Sequence, residues 1–535
     1  ALNLDGITFD DKTTIKLNSD TLLTSTSPVT VKTIEMGKHF LLLGSNTTDL
    51  TITDNITINY PGRNGLNSGD SNLTLNGPVS VLEGGILSSG GTVTFGTGAN
   101  GTSFSEEMSG MLLDNTTLNL QTDLNVSWLQ FSGISSVLNT NGNTLNISSG
   151  LDIGGGPEFD FTNVDIDNES ELSLIGDANI TKIGDIVLGR INTKGYALTL
   201  NPNITSLTAN HIWLTNDWDN NSANYLASTG ELLAQGVDVT LRKQIYLNNG
   251  TIEMGGGKLT LEQGGVLQEG GVLDLSNSIL DLHGPFYNDK GKGTLTTSVS
   301  TLRLNSNVKF EPGNDVTFNT YEPNGWGMVL HNDTDNSSAT THLTLGTNGV
   351  DLILQPNTEA LTSGFVNYYS KDTGAVFSTS NHAIGIESHK VQLTINGNLR
   401  LRDNATISSN YSALSLGNIT LDNGNISLYH GTLSLAGGTV GTKGKINVEN
   451  ESELELQGDL SVTGVLNLYN QSIIELAGNT LELSGGKFST TDDLSLTGIL
   501  SITGDSELSV SQGQTIELNQ TGGLSLGANT LTIGG

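Results

Sequence analysis

Apolar residues recur at every second position in short runs, and the runs close on Gly, Asn or Asp. This period marks a half-buried strand, and the closures are turns. The C-terminal part shows it most regularly. Residues 445–464 read KINVENESELELQGDLSVTG, and residues 465–485 read VLNLYNQSIIELAGNTLELSG. The predicted strands KINV, SELEL and DLSV align with VLNL, SIIEL and NTLEL. Their turns match at Glu449-Asn450 against Tyr469-Asn470, and at Gln457-Gly458 against Ala477-Gly478. Residues 499–522 repeat the theme as ILSI, SELSV and TIEL. Far upstream, residues 164–183 read VDIDNESELSLIGDANITKI and share Asn-Glu-Ser-Glu-Leu with residues 450–454. Similar pieces recur near the start, LTITDNITIN at 50–59 and LTLNGPVSVLEGG at 73–85.

Three strands in every ~20–25 residues predict an all-β fold, a parallel β-helix or solenoid, expected in its right-handed form. Inward positions are Leu, Ile and Val, and outward ones Thr, Ser, Asn, Glu and Asp. One coil cannot bury its own apolar face, so stability comes from stacking. At ~22 residues per coil the chain would make ~24 coils. Three stretches break the period, 209–247, 310–344 and 354–377, and are expected to be loop insertions. The expected organisation is regular solenoid over 1–204, solenoid with aromatic and polar insertions or a small subdomain over 205–390, and regular solenoid again over 391–535. TGELLAQ, residues 229–235, is the candidate for a short helix.

Composition strengthens this picture. The 535 residues include 67 Gly and 9 Pro, with 5% aromatic, 14% charged and 35% hydrophobic residues. That charged fraction lies below the ~25% of an ordinary globular domain, and the apolar content suits a thin core better than a wide one. The net charge of −33 disfavours nucleic acid and anionic membranes as partners. The absence of Cys excludes disulfides and thiolate metal sites, and fits an extracellular protein. No run approaches the ~18 apolar residues of a membrane span. The opening Ala1-Leu2-Asn3-Leu4-Asp5 reads as a processed product or a fragment.

Candidate chemistry is sparse. A polysaccharide-cleaving β-helix would gather carboxylates and basic residues on one sheet. The Gly-His-Gly turn and Arg-Ile-Lys run of polygalacturonase-type sites do not occur; His283-Gly284-Pro285 and His430-Gly431-Thr432 are the nearest sequences. Asp10-Asp11 and Asp492-Asp493 read as solvated turns, and no catalytic residue is assigned. The eight His are scattered, with His331 and His342 flanking an acidic loop. Alternating oxygen donors at Asp217 and Asp219, and at Asp333 and Asp335, suit calcium, the one cofactor considered. Asn-x-Ser/Thr sequons are numerous, including Asn125, Asn146, Asn450 and Asn470. The four Trp, 128, 213, 218 and 326, are candidate sugar-stacking platforms, and Trp213, Trp218 and Trp326 in the interrupted region are the candidate ligand-binding residues.

With its coils laid out, most of the chain resembles the β-helical passenger and stalk regions of large bacterial surface adhesins, autotransporter passengers and filamentous-haemagglutinin-like exoproteins. Asn201-Pro202-Asn203 is similar to the Asn-Pro-Asn motifs of two-partner-secreted adhesins, although it lies mid-chain. The resemblance implies a secreted structural and adhesive scaffold at the cell surface, without enzymatic activity or membrane insertion. Its expected partners are further copies stacked through the solenoid ends and a glycan or host-surface ligand. The alternatives are a carbohydrate-active β-helix enzyme and a glycan-binding module.

Overall fold

The computed structural model describes residues 1–7, 9–10, 12–45, 49–62, 65–105, 109–155, 158–214, 229–288, 292–324, 326–330, 341–346, 352–354, 367–369, 376–378, 382–386, 391–518, 523–526 and 529–534. The chain is all-β, about 59% strand, with parallel strands stacked as a β-solenoid of about 21 turns. Among the described residues a single 3-10 turn, Thr97–Ala99, is helical. The chain divides into two compact units. The first holds Ala1–Arg242 and Asn249–Met254, the second Lys243–Asn248 and Gly255–Gly535.

In the first unit the alternating pattern becomes aliphatic ladders. Val29, Leu50, Leu73, Val93, Leu118 and Leu138 stand in register on successive strands. Val31, Ile52, Leu75, Phe95 and Leu120 form a second ladder and are all buried. Between these ladders Thr30, Thr51, Thr74, Thr94 and Asn119 point outward. A strand's side chains alternate between faces, so the Thr column lies opposite the two aliphatic ones.

The second unit repeats the device with Ile407, Ile426, Ile446, Leu466, Phe488 and Leu508 inward. The two blocks aligned from sequence pair as expected. Lys445–Glu449 lies beside Val465–Tyr469, Glu453–Leu456 beside Ile473–Glu475, and Leu460–Val462 beside Thr480–Ser484. The third block is one strand out of phase. Ile499–Gly504 pairs with Thr480–Ser484, and Ser506–Val510 with Lys487–Thr490.

Corners are made in two ways. Where two faces meet within one long strand, a slip in the alternation keeps both halves inward. In Leu124–Ser132 the buried apolar residues run 124 and 126, then 129 and 131, with buried Ser127 at a register shift between Val126 and Trp128. Ala413–Leu421 does the same with 414 and 416, then 419 and 421. At its slip a Cβ on Gly417 would collide with the Gly397 carbonyl, so only glycine fits there. Elsewhere two consecutive residues adopt positive φ, Asn450 and Glu451 at 60° each, then Asn470 and Gln471 at 55° and 63°. Buried Ser452 and Ser472 follow these pairs, and each hydroxyl donates to the carbonyl three residues back.

Two expectations change. The segment 229–235 is not helical: Glu231–Leu233 is a strand between Ala197–Thr199 and Thr251–Glu253. Leu232 is fully buried between Leu198 and Ile252, and this stacking overrides a weak helical preference. The interruptions are also narrower than the pattern suggested. Residues 231–247 pair as ordinary coils, as do Val316–Glu322 and Met328–Leu330. The large step is between Thr341 and its partner Val391, and it contains a hairpin of Asn367–Tyr369 with Val376–Ser378. That hairpin is the one antiparallel pair among the described residues.

Candidate functional site

One outward face of the first unit brings Trp residues together with charged ones. It spans strands Gly110–Asp114, Leu124–Ser132, Leu145–Gly154, Glu171–Leu174, Gly184–Asn192 and Ile204–Trp213. Met111, Leu129, Leu151, Leu172, Ile191 and Ile212 are in register and face inward. Their flanking neighbours must then face outward, and they form two columns. One runs Gly110, Trp128, Gly150, Glu171, Arg190, His211. The other runs Leu112, Gln130, Asp152, Ser173, Asn192, Trp213.

The glycines of the first column give the indole of Trp128 room to lie along the sheet. A Cβ on Gly110 would stand 2.9 Å from Trp128 Cε3, and one on Gly150 3.4 Å from its Cδ1. Farther along, Glu171 organises the charged part. Its Oε2 accepts from Arg190 Nη1 at 3.1 Å, and its Oε1 accepts from Ser173 Oγ at 2.7 Å and Asn192 Nδ2 at 3.2 Å. The Arg190 guanidinium lies 4.1 Å over the ring of Trp213, a cation–π contact, and Trp213 is 37% exposed. Arg190 Nε is buried and has no hydrogen-bond partner. Glu171 thus ties Arg190, Ser173 and Asn192 into one network through its two oxygens.

Of the residues singled out from sequence, Trp128 and Trp213 belong to this face. Trp326 lies in the second unit, half-buried in the turn before Met328–Leu330, with its backbone N–H donating to Pro323 O at 2.8 Å. Trp218, Asp217, Asp219, Asp333, Asp335 and His331 lie outside the described residues. His342 Nδ1 is 3.1 Å from Asp315 Oδ1. Among the described residues no group of three or more His, Asp or Glu side chains is arranged to hold a metal ion. Glu171, Arg190 and Asn192 were not legible as a site. They stand about a coil apart from one another or from Trp213, and no local motif marks them.

Many acidic residues are instead structural. Asp123 accepts the backbone N–H of Thr144, Asp177 that of Ala197, Asp459 that of Thr480 and Asp493 that of Thr515, each reaching one coil onward. Asp492 accepts from Gln471 N at 2.7 Å, so the Asp492-Asp493 pair joins coils. Asp10 accepts from Thr13 Oγ1 and Lys12 N, and these bonds hold its carboxyl below the usual range. Several sequons are ladder rungs: Asn146 Nδ2 donates to Asn125 Oδ1 at 2.7 Å, and Asn470 Nδ2 to Asn450 Oδ1 at 2.8 Å. Asn201 of Asn-Pro-Asn forms an Asx turn, accepting from Asn203 N at 3.0 Å.

The first unit also contains a cavity of about 130 Å³. Leu129, Phe131, Ile147, Phe159 and Val164 line it, and Glu158 and Asp160 stand at its rim. It lies where the sheet ending in Val137–Asn139 gives way to the one beginning with Phe159–Asp160. No family model, curated protein or solved structure matches the chain. The class is therefore defined by the fold itself, a parallel β-solenoid.

Proposed function

We propose that the chain is a secreted, non-enzymatic scaffold of the cell surface that serves structural and adhesive roles. The observation that carries this reading is how the backbone and short polar side chains are used. Coil after coil, they are spent on joining one turn to the next, through aliphatic ladders, Asn rungs and Asp acceptors. The product is a repetitive outer surface. Self-association through the solenoid ends belongs to the same reading.

Antibody labelling of intact source cells tests the proposal. Labelling without permeabilisation is expected, and labelling only after permeabilisation overturns it. Electron micrographs of the purified chain test self-association, which dispersed single particles at high concentration would refute. Release of reducing ends from a polysaccharide panel would favour the enzyme reading instead.

A further inference from the structure

We infer that the outward face of the first unit between Trp128 and Trp213 binds a neutral saccharide chain laid across the strands, along the direction of stacking. The inference deepens the adhesive reading by naming the class of ligand, and rests on it for biological sense. Four observations carry it.

The first is the aromatic geometry. The apolar C–H face of a sugar ring packs on an indole plane, and Trp128 is laid along the sheet between Gly110 and Gly150, half-exposed. Trp213 stands four strands farther along. At the strand spacing this is ~19 Å, more than one ring covers, so a ligand touching both is a chain.

The second is what lies between the two indoles. Asp152 and the Glu171–Arg190 pair present carboxylate and guanidinium groups on consecutive strands, while the buried Asn192 braces Glu171. Planar groups of this kind engage adjacent hydroxyls in pairs. Glu171 holds Arg190 in place beforehand, which lowers the ordering cost of binding. Groups mounted on strands keep that geometry better than groups on loops.

The third is charge. The single guanidinium here is already paired with a carboxylate, and the chain carries a net charge of −33. A polyanionic glycan, a nucleic acid or an anionic membrane would meet repulsion without compensation.

The fourth separates a sugar from a peptide. An extended peptide is captured by adding to a free strand edge. The strands from Gly110 to Asn192 that bear these groups are hydrogen-bonded on both sides. What the face offers is side chains, not backbone.

Isothermal titration with linear neutral hexasaccharides of glucose, mannose, galactose and xylose, and with hexagalacturonate as the anionic probe, tests the inference. At least one neutral hexamer should bind, and the uronate should not. Trp128→Ala and Trp213→Ala should each weaken binding at least tenfold, while Tyr246→Ala, an exposed aromatic of the other unit, leaves it unchanged. Circular dichroism reports folding. Should Trp128→Ala unfold the chain, Asp152→Asn replaces it, with a several-fold loss expected. Binding only of the uronate, binding of none, or unchanged binding by the folded variants overturns the inference. A chain displayed on cells that binds no sugar sinks this inference alone; a sugar-binding chain found only inside cells sinks the adhesive reading alone.

Discussion

Two stretches can be set side by side: residues 110–213 of the first unit and residues 406–510 of the second. Both fill their inner faces with aliphatic and Phe ladders, and both turn one corner by a slip within a long strand. Their outward columns diverge. Residues 406–510 present Ser408, Ser427, Asn447, Asn467, Ser489 and Ser509, with Asn467 Nδ2 donating to Asn447 Oδ1 at 2.8 Å. Residues 110–213, on another sheet, present Trp128, Glu171, Arg190 and His211 in one outward column. The inner pattern maintains the coil and leaves the outer one free to vary. Short polar outer residues bond to their own kind in the next coil, whereas large and charged ones build a surface.

If the inner ladders are equivalent, a cavity in either should cost the same. Leu454→Ala in the second unit and Leu172→Ala in the first remove fully buried side chains. Each is expected to lose about 2–5 kcal/mol in urea unfolding. A much smaller loss at Leu172 would break the comparison. Gly417→Ala places a Cβ against the Gly397 carbonyl and should cost about 1–3 kcal/mol; hydrogen exchange should rise first in strands 391–396 and 413–421. Asn470→Ala removes one ladder rung and should cost about 1 kcal/mol by the same unfolding measurement. An effect near zero would show that the Asn column decorates the corner without joining it.

The smallest effects are electrostatic. Desolvation, then the nearby carboxyls of Glu475 and Glu455, hold Glu453 above the usual carboxylate range. The folded chain binds that proton more tightly than the unfolded one, so its contribution is lost as pH rises from the ordinary value through the raised one. Asp422 has the opposite sign. Arg400 and Arg402 lower it, and its contribution is lost as pH falls through the depressed value. Both side chains are solvent-accessible, so screening limits each effect to under about 1 kcal/mol. Melting midpoints measured between acid and neutral pH should show Glu453→Gln flattening one slope and Asp422→Asn the other. Identical profiles for all three proteins would remove both assignments.

Much of this was legible beforehand where alternation was clean. KINV, SELEL and DLSV, and their partners in the next block, are strands at the expected positions. The phase of ILSI was not legible, because all three faces use the same x-Leu-x-Leu signature. TGELLAQ misled because a short apolar pair after Gly fits either period, and only its neighbours at Leu198 and Ile252 settle it. For the site, the sequence offered Trp128 and Trp213 as sugar-stacking residues and missed the charged groups between them. Arg190 and Glu171 lie 19 residues apart along the chain, and nothing local links them.

The sequence by itself determined which side chains turn inward, because a period of two assigns each residue of a strand to one face or the other. It also determined that coils must stack, since no coil can bury its own apolar face. Only the tertiary structure decided which outward residues meet. Neighbours across coils are set by the accumulated lengths of turns, bulges and insertions, and a slip of one residue would send a side chain to the opposite face. Trp128, Glu171, Arg190 and Trp213 share a surface because the intervening turns sum to matching registers. That sum is fixed by packing between coils, which acts over distances the local pattern does not record.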